Sequence, residues 1–152
     1  MKKIILFLIC MIFVPQIAFA EKIPVKITPI QEISTFNDAV EVGDWIKFKV
    51  VNDVYYGNNL YIKKDTIVTG IVENLHENGL IADNAEIYFQ EFKLRTVDGK
   101  LITIKYPLYL NRSNSVCYNF LDKAKKYVGV IFKGNEVYIK PYTTTYNLIL
   151  NK

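Results

Sequence analysis

Residues 60–75, LYIKKDTIVTGIVENL, decide how this chain folds. The run predicts two β-strands joined at the polar turn Lys63-Lys64-Asp65, because β-branched and aromatic residues stand on both sides of that turn. The second strand, 67–75, carries apolar residues on both faces, which is typical of a strand inside a barrel or sandwich. Gly70 in its middle predicts a bulge, a bend or the close approach of another backbone.

The segment before this run, residues 45–51, predicts a strand with one buried face. Ile46, Phe48 and Val50 alternate with Lys47 and Lys49, and a period of two places the apolar set on one side of a sheet. We therefore expect the lysines to face solvent.

The segments after the run predict further hairpins. Asp98-Gly99 separates residues 87–97 from residues 101–110 and is the strongest hairpin signal in the chain. One short helix is predicted near residues 116–127, with another strand as the alternative. About eight short antiparallel strands without strand–helix alternation predict an all-β fold, a small single-domain β-barrel or β-sandwich.

The first 20 residues have the features of an export signal. Lys2 and Lys3 precede the apolar run 4–14, and Ala18-Phe19-Ala20 has the small side chains that a signal peptidase requires. The apolar run is shorter than the ~20 residues that span a bilayer. Cleavage after Ala20 would leave one β-rich domain, residues 21–152, that does not span a membrane. Export to the periplasm or surface of a bacterium is the expectation, and a retained N-terminal anchor is the alternative.

The composition of the predicted mature chain argues against several functions. It has 17 basic and 15 acidic side chains, so its charge does not predict a nucleic-acid partner. Cys117 is its only cysteine, so an internal disulfide is excluded. Cys117 and the only histidine, His76, could form a catalytic pair, but neither stands in a recognisable catalytic motif. One histidine and one cysteine cannot close a zinc site, and residues 73–86 lack the spacing of a calcium loop. We expect no catalytic residue, no cofactor and no metal.

Tyrosine is the most unusual feature of the composition, with 11 residues. Cross-strand packing accounts for many tyrosines in a β protein. Tyrosines grouped at turns instead predict a contact surface for a protein or a glycan, because the ring is rigid and amphipathic. The candidate binding residues are Tyr55, Tyr56, Tyr61, Tyr142 and Tyr146.

The pattern Ile62-Lys63-Lys64-Asp65-Thr66-x-Val68-x-Gly70-x-Val72, within residues 60–75, resembles one found in periplasmic β-barrel domains of conjugation and type IV secretion channel proteins. In those domains a basic residue followed by Gly-Thr-x-Val-x-Gly-x-Val leads one strand into the next. Asp65 stands here where glycine is usual. The resemblance implies a shared β architecture in the cell envelope.

These features predict an exported, non-enzymatic protein of the bacterial cell envelope that binds another envelope protein or assembly component. One alternative is a cell-wall glycan-binding module, or a small glycan hydrolase that takes an acidic pair from residues 73–86. A second alternative is a small outer-membrane barrel, although the outward lysines of residues 45–51 fit a lipid-facing band poorly.

Overall fold

The computed structural model describes residues 21–36, 39–79, 84–111 and 135–152. Within these ranges the chain is all-β and contains no helix. The predicted export signal, residues 1–20, lies outside the described residues. So do Cys117 and the predicted helix at 116–127.

Ten strands form across the described ranges. In chain order they are β1 (Lys22–Pro29), β2 (Ile33–Ser34), β3 (Trp45–Val50), β4 (Val54–Tyr56), β5 (Asn59–Ile62), β6 (Ile67–His76), β7 (Glu86–Arg95), β8 (Leu101–Leu110), β9 (Tyr138–Ile139) and β10 (Tyr146–Asn151).

Six of these strands form one antiparallel sheet in the order β10-β1-β3-β6-β7-β8. The sheet curls until its two edge strands, β8 and β10, approach each other, so it is a nearly closed barrel. The predicted all-β fold is therefore confirmed. In the part of the chain that the structure describes, no helix has the length and apolar character needed to cross a membrane.

β3 and β6 lie next to each other in the middle of the sheet. In β3, Ile46, Phe48 and Val50 are buried, as their alternation predicts. β6 is an interior strand, as predicted, but only one of its faces is fully buried. Val68 and Val72 point into the core, whereas Ile67 is 48% exposed beside Lys49 of β3. The apolar residues on the other face of β6 are thus only partly covered by the residues that the structure describes.

Gly70 in β6 makes room for aromatic rings. A Cβ atom at this position would lie 2.8 Å from Cε1 of Phe92 and 3.1 Å from Cδ1 of Phe89. Those two rings and Phe48 pack with centroids 5.8 Å apart at the centre of the core. The close approach that the glycine predicts is therefore made by side chains. The register of β6 and β7 also shifts between Gly70 and Val72, which places the predicted bulge there.

The Asp98-Gly99 hairpin is present between β7 and β8. Gly99 has a φ of 81°, a left-handed conformation that glycine adopts without steric cost. The Thr96 hydroxyl donates a hydrogen bond to Oδ1 of Asp98, and this bond lowers the pKa of the Asp98 carboxyl. The turn is thus held by both its side chains and its backbone.

The two short ribbons lie toward opposite ends of β1. The β2–β9 ribbon follows the end of β1 at Pro29. The β4–β5 ribbon follows β3. The backbone N–H of Val51, just before the ribbon, donates to the carbonyl oxygen of Lys26 in β1, and from there the ribbon extends toward the start of β1. At that start, Glu21 and Lys152 exchange backbone hydrogen bonds of 2.9 and 3.0 Å.

Candidate functional site

The β4–β5 hairpin presents aromatic side chains at the end of the barrel where β1 begins. Gly57 has a φ of 58° at the first central position of the turn, as a type II′ hairpin requires. Tyr55 and Tyr56 stand before this turn, and Leu60 and Tyr61 follow it. Tyr55 pairs with Leu60 across the hairpin.

The ammonium group of Lys152 lies over two of these rings. Its Nζ atom lies 3.9 Å from the ring centroid of Tyr56 and 3.9 Å from that of Tyr61, and the two centroids are 6.3 Å apart. A cation–π contact at an exposed site contributes roughly 0.5–1 kcal/mol to the stability of the folded protein. On the other side of the hairpin, the backbone N–H of Val97 donates to the carbonyl oxygen of Tyr61 at 3.0 Å. The hairpin is therefore fixed to both β10 and the β7–β8 turn.

The hairpin leaves a large apolar area in solvent. Tyr55 is 56% exposed, Tyr56 38% and Leu60 37%, while Tyr61 is half-buried against the core. Tyr55 and Tyr56 are adjacent in β4, so their side chains point to opposite faces of the hairpin. We call these two residues, Leu60 and Tyr61 together the tyrosine surface. Val97, next to it, is also exposed. Apolar side chains that are grouped and held in place in this way are typical of a contact surface.

Tyr142 lies away from the tyrosine surface. Its backbone N–H donates to the carbonyl oxygen of Pro29, at the end of β1, whereas Lys152 bonds to Glu21 at the other end. Glu21 and Pro29 are eight residues apart on an extended strand, so at the usual rise per residue their backbones are about 25 Å apart. Tyr142 is itself strongly exposed and has a φ of 61°.

A lysine and a carboxylate accompany Tyr142. The Nζ atom of Lys49 lies 5.1 Å from the centroid of the Tyr142 ring and 2.8 Å from Oδ1 of Asp65. The hydrogen bond between Lys49 and Asp65 lowers the pKa of the Asp65 carboxyl and raises the pKa of the Lys49 ammonium. Both groups are well solvated, so this ion pair contributes little to stability.

Tyr146 belongs to the core. Only 6% of its surface is exposed, and its hydroxyl makes no hydrogen bond of good geometry within the described residues. Burial raises the pKa of Tyr146 to about 12, an effect that the nearby Thr144 hydroxyl partly offsets. The structure thus brings Tyr56 and Tyr61 together, places Tyr55 on the same hairpin with its side chain toward the other face, separates Tyr142 from them and buries Tyr146.

Of the two residues considered as a catalytic pair, Cys117 lies outside the described residues. His76 ends β6 and pairs with Glu86 of β7. Over residues 21–36, 39–79, 84–111 and 135–152, no three histidine, cysteine, aspartate or glutamate side chains are placed to hold a metal ion.

Two features of the structure were missed from the sequence. Lys152 contacts Tyr56 and Tyr61 although it is far from them in sequence, and no local pattern could have revealed this. Trp45 is 48% exposed beside Lys93, whose Nζ atom lies 4.9 Å from the centroid of the indole ring. The alternation Trp45-x-Lys47-x-Lys49 places the indole on the lysine face and was a usable signal.

Fold and site together define a small barrel-like β protein with an exposed tyrosine surface at one end. A scan of protein-family models, a search of curated proteins and a search of solved structures each find no match to this chain.

Proposed function

We propose that this protein is exported to the bacterial cell envelope and acts there, without catalysis, by binding another envelope protein. The tyrosine surface is the contact site. The export signal predicted in residues 1–20 supports the location, and the exposed side chains of Tyr55, Tyr56 and Leu60 support the binding role.

One observation carries the proposal: Tyr56 is exposed and held in place by Lys152, on a hairpin that also exposes Tyr55 and Leu60. A tyrosine that is already ordered loses little side-chain entropy when it binds. Here Lys152 lies over Tyr56 and Tyr61, and the Val97 hydrogen bond fixes the backbone of β5. Large exposed aromatic side chains on such a support are the residues that contribute most to protein–protein binding energy.

Site-specific photo-crosslinking in living cells tests the proposal. A photoreactive phenylalanine analogue replaces Tyr55 in one variant and Tyr142 in a matched control. Both native tyrosines are strongly exposed, and they lie toward opposite ends of β1. We expect Tyr55 to yield one discrete crosslinked protein in the envelope fraction, and Tyr142 to yield none of the same mass. The combined variant Tyr55→Ser/Tyr56→Ser should not co-purify with that protein.

Two results would count against the proposal. One is the absence of any crosslinked product from Tyr55 while the protein is folded and present in the envelope fraction. The other is an identical product from both positions, which would show that the contact does not depend on the tyrosine surface.

A further inference from the structure

The outside of the sheet carries a second, chemically different surface. Lys47 of β3 pairs with Thr69 of β6, and Thr69 pairs with Lys93 of β7, so the three side chains form a row on the outer face. Trp45 stands two residues before Lys47 and pairs with Ile71. At the usual spacing of neighbouring strands, the backbones of Lys47 and Lys93 are about 10 Å apart. We call Trp45, Lys47, Thr69 and Lys93 the basic face.

The charge of the basic face is not neutralised by the described residues around it. Within the described ranges, neither Lys47 nor Lys93 forms an ion pair. Two carboxylates near these strands pair with other lysines: Asp65 lies 2.8 Å from Lys49, and Glu91 lies 3.5 Å from Lys105. Two ammonium groups therefore remain available to an anion on the same face.

The indole ring of Trp45 gives the basic face a flat apolar platform. Its side chain is 48% exposed, and the Nζ atom of Lys93 lies 4.9 Å from the ring centroid. A cation–π contact holds the ammonium over one face of the ring without pairing its charge with a carboxylate, which leaves the other face for stacking. Thr69 is fixed as well, because its hydroxyl donates to the carbonyl oxygen of Lys93 at 3.3 Å. An aromatic platform, two cations and a hydroxyl therefore lie side by side.

We propose that the basic face binds an acidic polysaccharide. The apolar side of a sugar ring would stack on Trp45, and carboxylates on the ring or on the next sugar would contact Lys47 and Lys93. The Thr69 hydroxyl adds a polar contact for a sugar hydroxyl group. This site goes beyond the protein-binding function proposed above, because it uses different residues on different strands.

Charge and composition favour an acidic glycan over nucleic acid. The predicted mature chain has nearly equal numbers of basic and acidic side chains, so it lacks the extended positive field that a nucleic acid requires. The basic face is compact, with Thr69 between its two lysines and one aromatic ring next to them. That arrangement suits a polymer of largely uncharged sugar rings that carries separated anionic groups.

A binding assay with three defined polymers tests the inference on the purified protein. The probes are polygalacturonate as the acidic glycan, dextran as the neutral glycan and single-stranded DNA as a polyanion of another class. We expect polygalacturonate to bind, with an affinity that falls as salt screens the lysines. Dextran should not bind detectably, and DNA should bind at least about tenfold more weakly than polygalacturonate, a preference of about 1.4 kcal/mol.

Substitutions assign the binding to the basic face. Lys47→Gln/Lys93→Gln and Trp45→Ala should each weaken polygalacturonate binding about fivefold or more, the loss expected for about 1 kcal/mol of contact energy. Trp45→Tyr keeps an aromatic platform and should retain most of the affinity. The control Lys22→Gln/Lys100→Gln removes the same charge from exposed positions elsewhere and should bind as the unmodified protein does. Circular dichroism of each variant shows whether it is folded.

Three outcomes would overturn the inference. Polygalacturonate could fail to bind the unmodified protein, or DNA could bind as tightly as polygalacturonate. The control pair could also weaken binding as much as Lys47→Gln/Lys93→Gln, which would show an effect of net charge alone. Failure in this assay leaves the photo-crosslinking result at Tyr55 unaffected, so the two proposals stand or fall separately.

Discussion

Asp65 combines an unusual backbone conformation with an ion pair. Its φ is 64°, in the left-handed region where glycine is favoured and most other residues are strained. Aspartate is among the residues that tolerate this conformation, and here its carboxylate also bonds to Lys49 at 2.8 Å. The departure from glycine in the secretion-channel-like pattern thus occurs at a position where the backbone still has the conformation that glycine prefers.

Two substitutions at Asp65 separate the effect of backbone conformation from that of the ion pair. Asp65→Ala loses the ion pair and disfavours a positive φ, so its melting temperature should fall by several degrees. Asp65→Gly loses only the ion pair and should melt close to the unmodified protein. Thermal unfolding, monitored by circular dichroism, gives the melting temperature of each variant. Equal melting temperatures for Asp65→Ala and Asp65→Gly would contradict it.

The ion pair should also make the effect of Asp65→Asn depend on pH. Because the pKa of Asp65 is lowered in the folded state, the pair contributes above the ordinary pKa of 3.8 and its contribution is lost as the pH falls through the lowered value. The difference in melting temperature between the protein and Asp65→Asn should therefore disappear in acid. A difference that is constant across this range would exclude the carboxylate charge as its cause.

Tyr146 is the residue where burial carries the clearest pH consequence. Its pKa rises from 10.0 to about 12 because the ionised form would be buried. Between these pH values the unfolded chain loses the phenolic proton and the folded chain keeps it, so folding becomes less favourable. Tyr146→Phe should lack this contribution, and its stability relative to the unmodified protein should improve as the pH rises from 10 to 12. Urea unfolding at the two pH values measures it, and a constant difference would contradict the assignment.

Gly70 is the residue on which the central strand β6 depends. A Cβ atom there would lie 2.8 Å from the Phe92 ring, closer than real contacts come, and 3.1 Å from the Phe89 ring, which is tighter than most. Gly70→Ala should therefore lower the free energy of unfolding by roughly 1–3 kcal/mol. Thr69→Ala, on the outer side of the same strand, is the control and should cost less.

A double substitution tests whether the Phe92 ring is the cause of the Gly70→Ala effect. Phe92→Leu removes ring atoms from the space that the new methyl group needs. In the background of Phe92→Leu, Gly70→Ala should therefore cost less than it does alone. Denaturant unfolding of the four proteins gives the coupling energy. If the changes in unfolding free energy of the two substitutions simply add, the strain lies elsewhere, in the backbone of β6.

At the scale of strands, local patterns predicted more than long-range arrangements. The alternation in β3 and the Asp98-Gly99 turn identified a one-sided strand and a hairpin, because both signals are contained in a few neighbouring residues. The pairing of β1 with β10 joins segments that are distant in sequence, and no local signal reports it. The buried position of Tyr146 could have been predicted, because Tyr146, Leu148 and Leu150 alternate and all three are buried. Tyr146 follows a turn in the sequence, but it is the first inward-facing residue of β10.

For the molecule as a whole, the barrel separates two surfaces of different chemistry. The tyrosine surface lies where β1 begins, on a ribbon outside the six-stranded sheet. The basic face lies on the outer side of β3, β6 and β7. No described hydrogen bond or ion pair links the side chains of the two surfaces. Substitutions on one surface should therefore act independently of the other, as distant sites generally do.

A crossed experiment measures this independence. Lys47→Gln/Lys93→Gln should leave the crosslink from position 55 at full yield, because the β4–β5 hairpin is supported by Lys152 and Val97 and by nothing on the basic face. Tyr55→Ser/Tyr56→Ser should leave polygalacturonate binding within about twofold of the unmodified protein, a change of under about 0.5 kcal/mol. If the lysine variant lost the crosslink, the partner would have to cover both surfaces at once. The barrel would then present one continuous interface in place of two sites.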